Sequence, residues 1–553
     1  MRNITTALIL KYKYQLILCA IFIVHLSNLF IDVMEIDAAQ YAGISLDMFK
    51  SGSYLQVYLN GLDYLDKPPL LFWSSCVSFF VFGVSNFSYK FIPFLTLMLG
   101  VYATYRFAKL WYSQRAAIFS AIILASSQAF YLMSNDVRTD GLLTGWVIVS
   151  VWLITEYLKK KTWRYLIFAA IATGLAMLAK GPIGLVAVGV AIGCDLVLKR
   201  QWKEITRPVW VLYLVIIALV LLPMCVGLYE QYDMHPEKVV YGLKGPSGLL
   251  FFFWTQSFGR ITGDIYWDNG APLLYFIQTI LWDFQPWVLI FFIAIILSLY
   301  NLVISKFTLN RPEYATIGGF LLVFAILSLS HYKLPHYIFL IFPFAAIITA
   351  DFLDRIDGVL LRTISRIQMG LILLFFIAVV IGFVFVFPPH FILVPLLCGA
   401  LFLVVCIIFL RFYGVEKLVF STAIMAVSFN AMMSLNFYPQ LLKYQASSAA
   451  GKWIQRNNQP KHPVFFYNTV GFALDFYQNE HATPLIIEQL DTISSGSWIY
   501  TNQEGKDALM QQTNRIFVVM ETPSFSVTLL NANFINKYTR PASVKKCYVL
   551  EFR

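Results

Sequence analysis

The sequence predicts a polytopic α-helical membrane protein that ends in a small α/β domain outside the membrane. Of its 553 residues, 59% are hydrophobic and only 13% are charged, which is more apolar surface than the core of a water-soluble domain hides. Apolar runs long enough to cross a bilayer recur as far as residue 434. After Tyr438 the composition changes to short apolar segments that alternate with polar ones. The bilayer is therefore expected to be the main solvent of this chain.

The membrane spans are predicted from the length of the apolar runs. A spanning helix needs roughly 20 mostly apolar residues, and about thirteen runs satisfy this. They lie near 15–30, 91–110, 115–133, 142–158, 164–179, 183–198, 209–229, 273–299, 313–330, 337–353, 367–387, 391–409 and 418–434. The stretch from Leu70 to Val84 is shorter and contains serines, so we expect it to lie in the interface or to re-enter the membrane from outside.

Basic residues predict the orientation of these spans. Lys and Arg concentrate in cytoplasmic loops, and every alternate loop of this chain carries a basic cluster. This pattern predicts a cytoplasmic N-terminus and a membrane domain over 1–434 with long external loops at 31–89 and 230–272. The remaining segment, 435–553, is then an external α/β domain, with predicted strands at Val464–Tyr467, Arg515–Val519 and Cys547–Leu550.

The charge and the cysteines exclude several classes of function. The net charge of +11 comes from short clusters between apolar runs and not from one basic stripe, so a nucleic-acid partner is not indicated. The seven cysteines show no CxxC pairing and no histidine-bearing metal spacing. Neither a disulfide framework nor a zinc site is predicted.

The candidate site residues are polar groups at the predicted outer ends of spans, where burial in hydrocarbon would be costly. They are Asp37, Tyr41, Lys67, Arg138, Asp140, Lys180, Arg260, Lys333, His336 and Tyr337. Five of them are cations on the side where basic residues should be scarce. Their convergence on an anionic ligand accounts for this placement, with a carboxylate available to accept a proton.

Each candidate also has a purely structural explanation. Asp37 alone could be a solvated loop carboxylate or a helix N-cap. Arg138 and Asp140 could pair with each other, and Lys67, Lys180 or Lys333 could extend to the interface as isolated lysines. External residues that could act as metal ligands, among them Glu230, Asp233, His235, Asp264 and Asp268, could bind a divalent ion or simply be solvated, so the metal requirement stays open.

Taken together, five short motifs resemble those of the GT-C glycosyltransferases. In the bacterial branch that contains the lipid A aminoarabinose transferase, and which is related to the protein O-mannosyltransferases, the first external loop carries Asp-Glu-x-Arg-Tyr-Ala and then Lys-Pro with an aromatic helix. The corresponding segments here are Asp37-Ala38-Ala39-Gln40-Tyr41-Ala42, Lys67-Pro68-Pro69-Leu70-Leu71-Phe72-Trp73, Arg138-Thr139-Asp140, Lys180-Gly181-Pro182 and Lys333-Leu334-Pro335-His336-Tyr337. The Glu and Arg of the first motif are replaced here by Ala38 or Ala39 and by Gln40.

The resemblance implies a GT-C fold and transfer of a sugar from a polyprenyl-phosphate donor, with inversion and without a nucleotide or other cofactor. The acceptor would be a lipid A-like glycolipid, a glycan or a protein at the periplasmic face of a bacterial inner membrane. Asp37 and Asp140 would be catalytic, and Lys67, Arg260, Lys333 and Tyr337 would lie near the donor phosphate. Tyr41, Arg138, Lys180 and His336 belong to the same external motifs, and we add them to the predicted substrate-binding set.

Two questions stay open at the level of sequence. A hydroxyl acceptor would make Asp37 a general base, whereas an ionised phosphate acceptor would need it only for orientation. The alternative function is a transporter or flippase for lipid-linked sugars. Such proteins often carry inverted repeats and ionisable residues at mid-span, whereas the charged residues of this sequence cluster at one face and no repeat is visible.

Overall fold

A computed structural model describes residues 11–256, 259, 268–304, 312–458 and 461–553. Within these ranges the chain is mainly helical up to Tyr444, and a five-stranded sheet follows. Nine of the described helical segments are long and apolar enough to cross a bilayer, namely Lys13–Phe30, Asn86–Trp111, Thr139–Lys160, Trp163–Lys180, Trp202–Asp233, Pro335–Arg355, Gly358–Val386, Leu393–Arg411 and Gly414–Tyr444. The predicted fold class, a multi-pass helical membrane protein with a small C-terminal α/β domain, is confirmed.

Two predicted spans are interrupted in the structure. The run at 115–133 is a pair of helices, Gln114–Ser126 and Gln128–Asn135, that bend by 55° relative to each other. The run at 273–299 forms Tyr275–Asp283 and Val288–Ile304, with Pro286 between them. Proline has no N–H to continue the helical ladder, which explains the break. Since several apolar helices are shorter than a full span, the number thirteen stays a prediction.

The other α-helices of this region are short or lie outside the nine segments. They are Asp37–Ser51, Leu70–Phe82, Ile183–Leu198, Gly248–Leu250 and Ala315–Ser328. Each of the long loops 31–89 and 230–272 contains a hairpin of two-residue strands. One hairpin pairs Tyr58–Leu59 with Leu62–Asp63, and the other pairs Val239–Val240 with Leu243–Lys244. Leu70–Phe82 coincides with the stretch that the sequence assigns to the interface.

Close packing of small residues sets the position of the helix Thr139–Lys160. Gly145 lies so close to the neighbouring helix that an added Cβ would be 2.7 Å from the backbone oxygen of Thr96. Membrane helices associate through such small-residue contacts because lipid supplies no hydrophobic driving force between them. The contact fixes the register of the helix whose first turn carries Asp140.

The C-terminal sheet is mixed. Its strands are β1 (Val464–Tyr467), β2 (Thr483–Pro484), β3 (Ser497–Asn502), β4 (Ile516–Ser524) and β5 (Lys545–Phe552), in the spatial order β2-β1-β3-β5-β4. The strands β1, β2 and β3 are parallel, and β5 is antiparallel to both β3 and β4. Its helices are Ala446–Asn457, Phe472–Gln478, Gln503–Gln512, Ala532–Ile535 and Arg540–Ser543.

Side chains alternate across this sheet, as the period of a strand requires. In β3, Trp498 and Tyr500 pack with the helix Ala446–Asn457, whereas Ile499 packs on the opposite face with Leu509. Both faces are therefore covered by apolar clusters, which gives the domain a core of its own.

The sheet domain is fastened to the first external loop by polar contacts. Lys452 lies 2.6 Å from Asp32, and the hydroxyl of Tyr477 accepts a 2.7 Å hydrogen bond from the N–H of Val33. Gln445 accepts from the N–H of Glu35 at 2.9 Å and donates to the carbonyl of Val33 at 2.9 Å. The C-terminal domain thus holds the segment that leads directly into Asp37.

Candidate active site

A cavity of about 650 Å³ lies where the external motifs meet. It is lined by Asp37, Gln40, Tyr41, Asp66, Lys67, Thr139, Asp140, Lys180, Tyr332, Leu334, His336 and Tyr337. These residues come from five separate parts of the chain. Seven of the ten candidate residues from the sequence line this one cavity: Asp37, Tyr41, Lys67, Asp140, Lys180, His336 and Tyr337.

Asp37 and Tyr41 are one turn apart on the helix Asp37–Ser51, so both face the cavity. Asp37 occupies the first helical turn, where unpaired backbone N–H groups favour a carboxylate. Its Oδ2 accepts a hydrogen bond from Nη1 of Arg138. Burial, followed by the nearby charge of Asp37, raises the pKa of Tyr41 well above its ordinary value, so this phenol stays a hydrogen-bond donor.

The guanidinium of Arg138 binds a second carboxylate, that of Asp136. Its Nε donates to Asp136 at 2.8 Å, so one guanidinium bridges two carboxylates. Such a planar, multidentate contact fixes orientation in a way that a lysine ammonium does not. Arg138 does not line the cavity itself but lies behind Asp37 and orients it.

Asp140 and Lys180 form the second ion pair of the site, with 2.5 Å between Oδ1 and Nζ. Asp140 lies in the first turn of Thr139–Lys160, and Lys180 is the last residue of Trp163–Lys180, so each charge has the sign that its helix end favours. Gly181, with φ of +84°, then turns the chain into the next helix.

His336 and Tyr337 belong to the fifth motif and lie next to this ion pair. Nε2 of His336 is 3.8 Å from Oδ2 of Asp140, and the ammonium of Lys180 is 3.6 Å from the centre of the Tyr337 ring. Pro335 begins the 3₁₀ turn that presents both side chains, and its fixed φ suits the first position of a helix. Lys180 is thereby held by a carboxylate and an aromatic face.

Lys67 contributes the third cation. Its ammonium contacts the carboxylate of Asp66, and Asp66 also accepts from Nε2 of Gln256 at 3.3 Å. The side chains of Lys67 and Lys180 are only 14% and 15% exposed, so both are largely desolvated. Ionic contacts in such surroundings are stronger than at an open surface.

A second, mainly apolar groove of about 860 Å³ adjoins the cavity. Lys67, Asp140, Lys180 and Tyr337 line both spaces and therefore mark their junction. Beyond the junction the groove is lined mostly by aliphatic side chains, including Leu143, Ile183, Val186, Ile326, Leu327 and Leu340. The combined space is amphiphilic, with paired charges at one end and hydrocarbon along the other.

Among the candidates, Lys333 lies outside this cavity. The ammonium of Lys333 donates to the carbonyl of Ala271 at 3.0 Å, and its backbone exchanges hydrogen bonds with the side chain of Asn269. Lys333 therefore fastens one external loop to another and is not among the side chains that line the cavity. Arg260 lies outside the residues that the structure describes.

The structure adds a carboxylate that the sequence argument missed. Asp283, which is 3% exposed, ends the helix Tyr275–Asp283 and lines a chamber of about 540 Å³ together with Asp136, Arg138 and His336. An acidic residue inside an apolar run is itself a signal of function, and the predicted span 273–299 contained it. Gln256, which binds Asp66, carried no such signal.

The cations at the cavity are paired with carboxylates, and a bound phosphate would compete with those carboxylates for the two lysines. Among the described residues at or behind its wall, Lys67, Lys180 and Arg138 each contact a carboxylate. A phosphate entering at the junction would attract the two lysines, whose flexible side chains can turn from carboxylate to phosphate. In the described part of the chain, no three His, Cys, Asp or Glu side chains are grouped to hold a metal ion.

The chain is similar to known proteins in sequence and in fold. The family model of the dolichyl-phosphate-mannose-protein mannosyltransferases matches residues 66–226. A protein of Aquifex aeolicus (strain VF5), named only as an uncharacterized protein, is 27% identical over 478 residues, which are 84% of this chain and 87% of that one. The undecaprenyl phosphate-alpha-4-amino-4-deoxy-L-arabinose arabinosyl transferase of Edwardsiella ictaluri (strain 93-146) is 24% identical over 334 residues, 58% of this chain and 56% of the transferase.

The fold has a close counterpart among solved structures. ArnT from Cupriavidus metallidurans, in a crystal structure bound to undecaprenyl phosphate, superposes with a TM-score of 0.75 at 17% identity over 97% of each chain. In sequence, the chain spans about half the length of the named arabinosyl transferases it matches.

The fold is that of the GT-C membrane glycosyltransferases. In sequence the chain is similar to the protein mannosyltransferases and to the arabinosyl transferases, and in fold it is similar to ArnT. The resemblance inferred from the five external motifs is thereby confirmed.

Proposed function

We propose that this protein transfers a sugar from a polyprenyl-phosphate donor to an acceptor at the periplasmic face of a bacterial inner membrane. The observation that carries the proposal is the junction formed by Lys67, Asp140, Lys180 and Tyr337, where a charged cavity opens into an apolar groove. A polyprenyl phosphate has the same two parts, a hydrocarbon chain and an anionic head. A substrate that was only a soluble sugar nucleotide would leave the apolar groove without a role.

In this proposal the phosphate lies at the junction and the polyprenyl chain lies along the aliphatic groove. Lys67 and Lys180 bind the phosphate, and Tyr337 packs against Lys180. The solved ArnT structure was obtained with undecaprenyl phosphate bound, which supports the same donor class here. Lys333 and Arg260 remain predicted contributors to donor binding, Lys333 through the loop that it fastens.

The reaction is a displacement at the anomeric carbon. The acceptor oxygen forms a bond to that carbon while the bond from the carbon to the phosphate oxygen breaks, and the polyprenyl phosphate leaves with the electron pair. Lys67 and Lys180 stabilise the charge that grows on the phosphate, an effect worth about 3 kcal/mol for a well-aimed donor. A single displacement inverts the anomeric configuration.

Asp37 receives the proton when the acceptor is a hydroxyl. Arg138 holds the carboxylate in a fixed direction from behind, and Asp136 holds Arg138 in turn. Asp140 binds Lys180 before the donor arrives and is available to contact the sugar once the lysine turns to the phosphate. These assignments give Asp37 and Asp140 separate tasks.

The orientation follows from the basic loops. The connections at 106–115, 159–164, 199–207 and 355–366 are basic and are assigned to the cytoplasm. The cavity and the sheet domain belong to the opposite side, where polyprenyl-linked sugars are used without a nucleotide.

The proposal is tested by looking for a new glycosidic bond. Purified full-length protein in detergent is mixed with undecaprenyl-phosphate sugars extracted from membranes and with a panel of lipid A, neutral glycans and Ser/Thr peptides, and the products are analysed by mass spectrometry. We expect one acceptor class to gain the sugar as free undecaprenyl phosphate appears. A transporter of lipid-linked sugars would leave donor and acceptors chemically unchanged, and that result would refute the proposal.

A further inference from the structure

A second cavity, of about 840 Å³, lies between the first external loop and the sheet domain. Its wall is built from the loop at Glu35 and Ile36, the start of the helix Ala446–Asn457, the turn after β1 and the segment that follows β4. It is separate from the apolar groove and shares no lining residue with the cavity of the ion pairs. No role has so far been given to it.

One short segment separates the two cavities. Glu35 lines the second cavity and Asp37 lines the first, and Cα atoms two residues apart lie within about 7 Å of each other. The segment is held firmly, since Gln445 binds the backbone at Val33 and at Glu35. The backbone that carries the proposed catalytic carboxylate therefore lies within about 7 Å of a residue that lines the second cavity.

The lining of the second cavity is rich in hydroxyl groups. They belong to Ser447, Thr469, Tyr500, Ser524, Ser526 and Thr528. A hydroxyl both donates and accepts hydrogen bonds, so such a wall can match a ligand that is itself a dense array of hydroxyls. Phe472 and Phe525 add two apolar faces to the same wall.

The charge of the lining argues against an anionic ligand. Its one carboxylate, Glu35, accepts at Oε1 from the Ser447 hydroxyl at 2.9 Å and from the N–H of Ala473 at 2.8 Å, so it is fixed in place. None of the described residues that line this cavity is a lysine or an arginine. A phosphate would meet a carboxylate without a compensating cation, whereas the first cavity offers Lys67 and Lys180.

We infer that the second cavity binds the acceptor of the transfer, and that the acceptor is a neutral, hydroxyl-bearing glycan. This inference rests on the proposed function and decides a question that it left open. The attacking group is then a sugar hydroxyl, which needs a base. Its proton passes to Asp37 as its oxygen bonds to the anomeric carbon of the donor, and the polyprenyl phosphate departs.

The test uses substitutions that narrow the second cavity and leave the lining of the first cavity unchanged. Ser526 is exposed on the segment after β4, so Ser526→Trp fills space at the rim and leaves the core of the domain intact. Ser526→Ala removes only the hydroxyl. Ser495→Trp, at an exposed turn of the same domain that does not line the cavity, is the matched control.

The probes are neutral oligosaccharides released from the surface polysaccharide of the host bacterium, lipid A, and Ser/Thr peptides, each with membrane-derived undecaprenyl-phosphate sugar. We expect transfer to the neutral oligosaccharides, with a KM for them at least tenfold higher in Ser526→Trp and two- to threefold higher in Ser526→Ala. The affinity for undecaprenyl phosphate should not change. Ser495→Trp should behave as the wild type.

Transfer to lipid A or to peptides, or an unaltered oligosaccharide KM in Ser526→Trp, would overturn the acceptor assignment while leaving a working transferase. Failure of the proposed function looks different, because no acceptor would gain a sugar and no undecaprenyl phosphate would be released. A Ser526→Trp protein that does not fold is replaced by Thr528→Trp, which narrows the same rim from a neighbouring exposed position.

Discussion

Arg138 donates a hydrogen bond to Asp37 across 101 residues of sequence and joins a membrane helix to the first external loop. The same guanidinium binds Asp136 at 2.8 Å, so the carboxylate proposed as the base is oriented by a group that is itself fixed. This relationship makes Arg138 a positioning residue. Its effect should appear in the rate of transfer more than in the binding of the donor.

Arg138→Lys should therefore lower kcat by about 10- to 100-fold, because a lysine ammonium lacks the planar donor geometry that fixes both carboxylates and a hydrogen bond to a charged group is worth roughly 1.5–3 kcal/mol. The donor KM should change less than threefold. Arg355→Lys, in an Arg–Asp pair with Asp351 elsewhere in the membrane region, is the control. An equal fall of kcat in both variants, or none in Arg138→Lys, would show that Arg138 does not position Asp37.

Lys180→Met should weaken the binding of undecaprenyl phosphate by about tenfold or more, since it removes one charge-assisted contact at the junction of the cavity and the groove. Tritiated undecaprenyl phosphate and the purified protein give the dissociation constant. Lys461→Met, at an exposed lysine of the sheet domain, is the matched control. Equal donor affinity in the Lys180 variant and the wild type would mean that Lys180 serves only to pair with Asp140.

The docking of the sheet domain should depend on pH. His481 lies 2.8 Å from Asp47 on the helix of Asp37, and this contact raises the pKa of His481. Burial, opposed by the N–H of Ala482, raises the pKa of Asp475 from 3.8 to about 6. Both groups therefore hold protons more tightly in the folded protein than in the unfolded one.

The linkage between proton binding and folding gives the direction in which stability changes with pH. The stability that the raised pKa of Asp475 contributes is fully present below pH 3.8 and is lost as the pH rises through about 6. The stability contributed by His481 is fully present below its ordinary pKa of 6.5 and is lost as the pH rises through the raised pKa. The melting temperature of the purified protein should fall between about pH 4 and pH 8. The buried Asp475 accounts for up to about 3 kcal/mol across its own window.

Asp475→Asn should flatten the lower part of this pH profile and His481→Gln the upper part. The control is Asp507→Asn, on an exposed helix of the same domain. Thermal melts of the three variants at pH values from 4 to 8 are the measurement. A wild-type slope in both Asp475→Asn and His481→Gln would place the pH dependence elsewhere in the molecule.

The predicted orientation can be read by labelling single cysteines in a cysteine-free background. Ile36 is 56% exposed beside the cavity, and Tyr413 is 84% exposed in the loop at 411–417 that is predicted to be cytoplasmic. Ile36→Cys should react with a membrane-impermeant maleimide in cells whose outer membrane has been opened, and Tyr413→Cys only after the inner membrane is permeabilised. Reaction of both from the same side would contradict the topology.

Much of the architecture was predictable because it depends on local signals. The length of apolar runs predicted the long helices, and β1 was predicted with the bounds found, Val464–Tyr467. The selection of polar residues at the predicted outer ends of spans included seven of the side chains that line one cavity. In these cases the residue type and its neighbours in sequence carried the information.

The remainder depends on contacts between distant segments. The central strand β3, Ser497–Asn502, was not predicted from its sequence and is defined by its pairing with β1 and β5. Lys333 resembles the other external lysines in sequence, and only the fold brings its ammonium to the carbonyl of Ala271. The hydroxyl-lined cavity forms where Glu35 meets segments more than 400 residues away, for which no local pattern exists.

The central claim is that Asp37 acts on a lipid-linked sugar in the cavity that it lines, and one variant tests it most directly. Asp37→Asn keeps the size of the side chain but removes the base. The measurement is the initial rate of transfer from undecaprenyl-phosphate sugar by purified, folded protein, together with the affinity for undecaprenyl phosphate. We predict a rate lowered by about 10²- to 10⁴-fold with an affinity within threefold of the wild type. A rate close to that of the wild type would contradict the account.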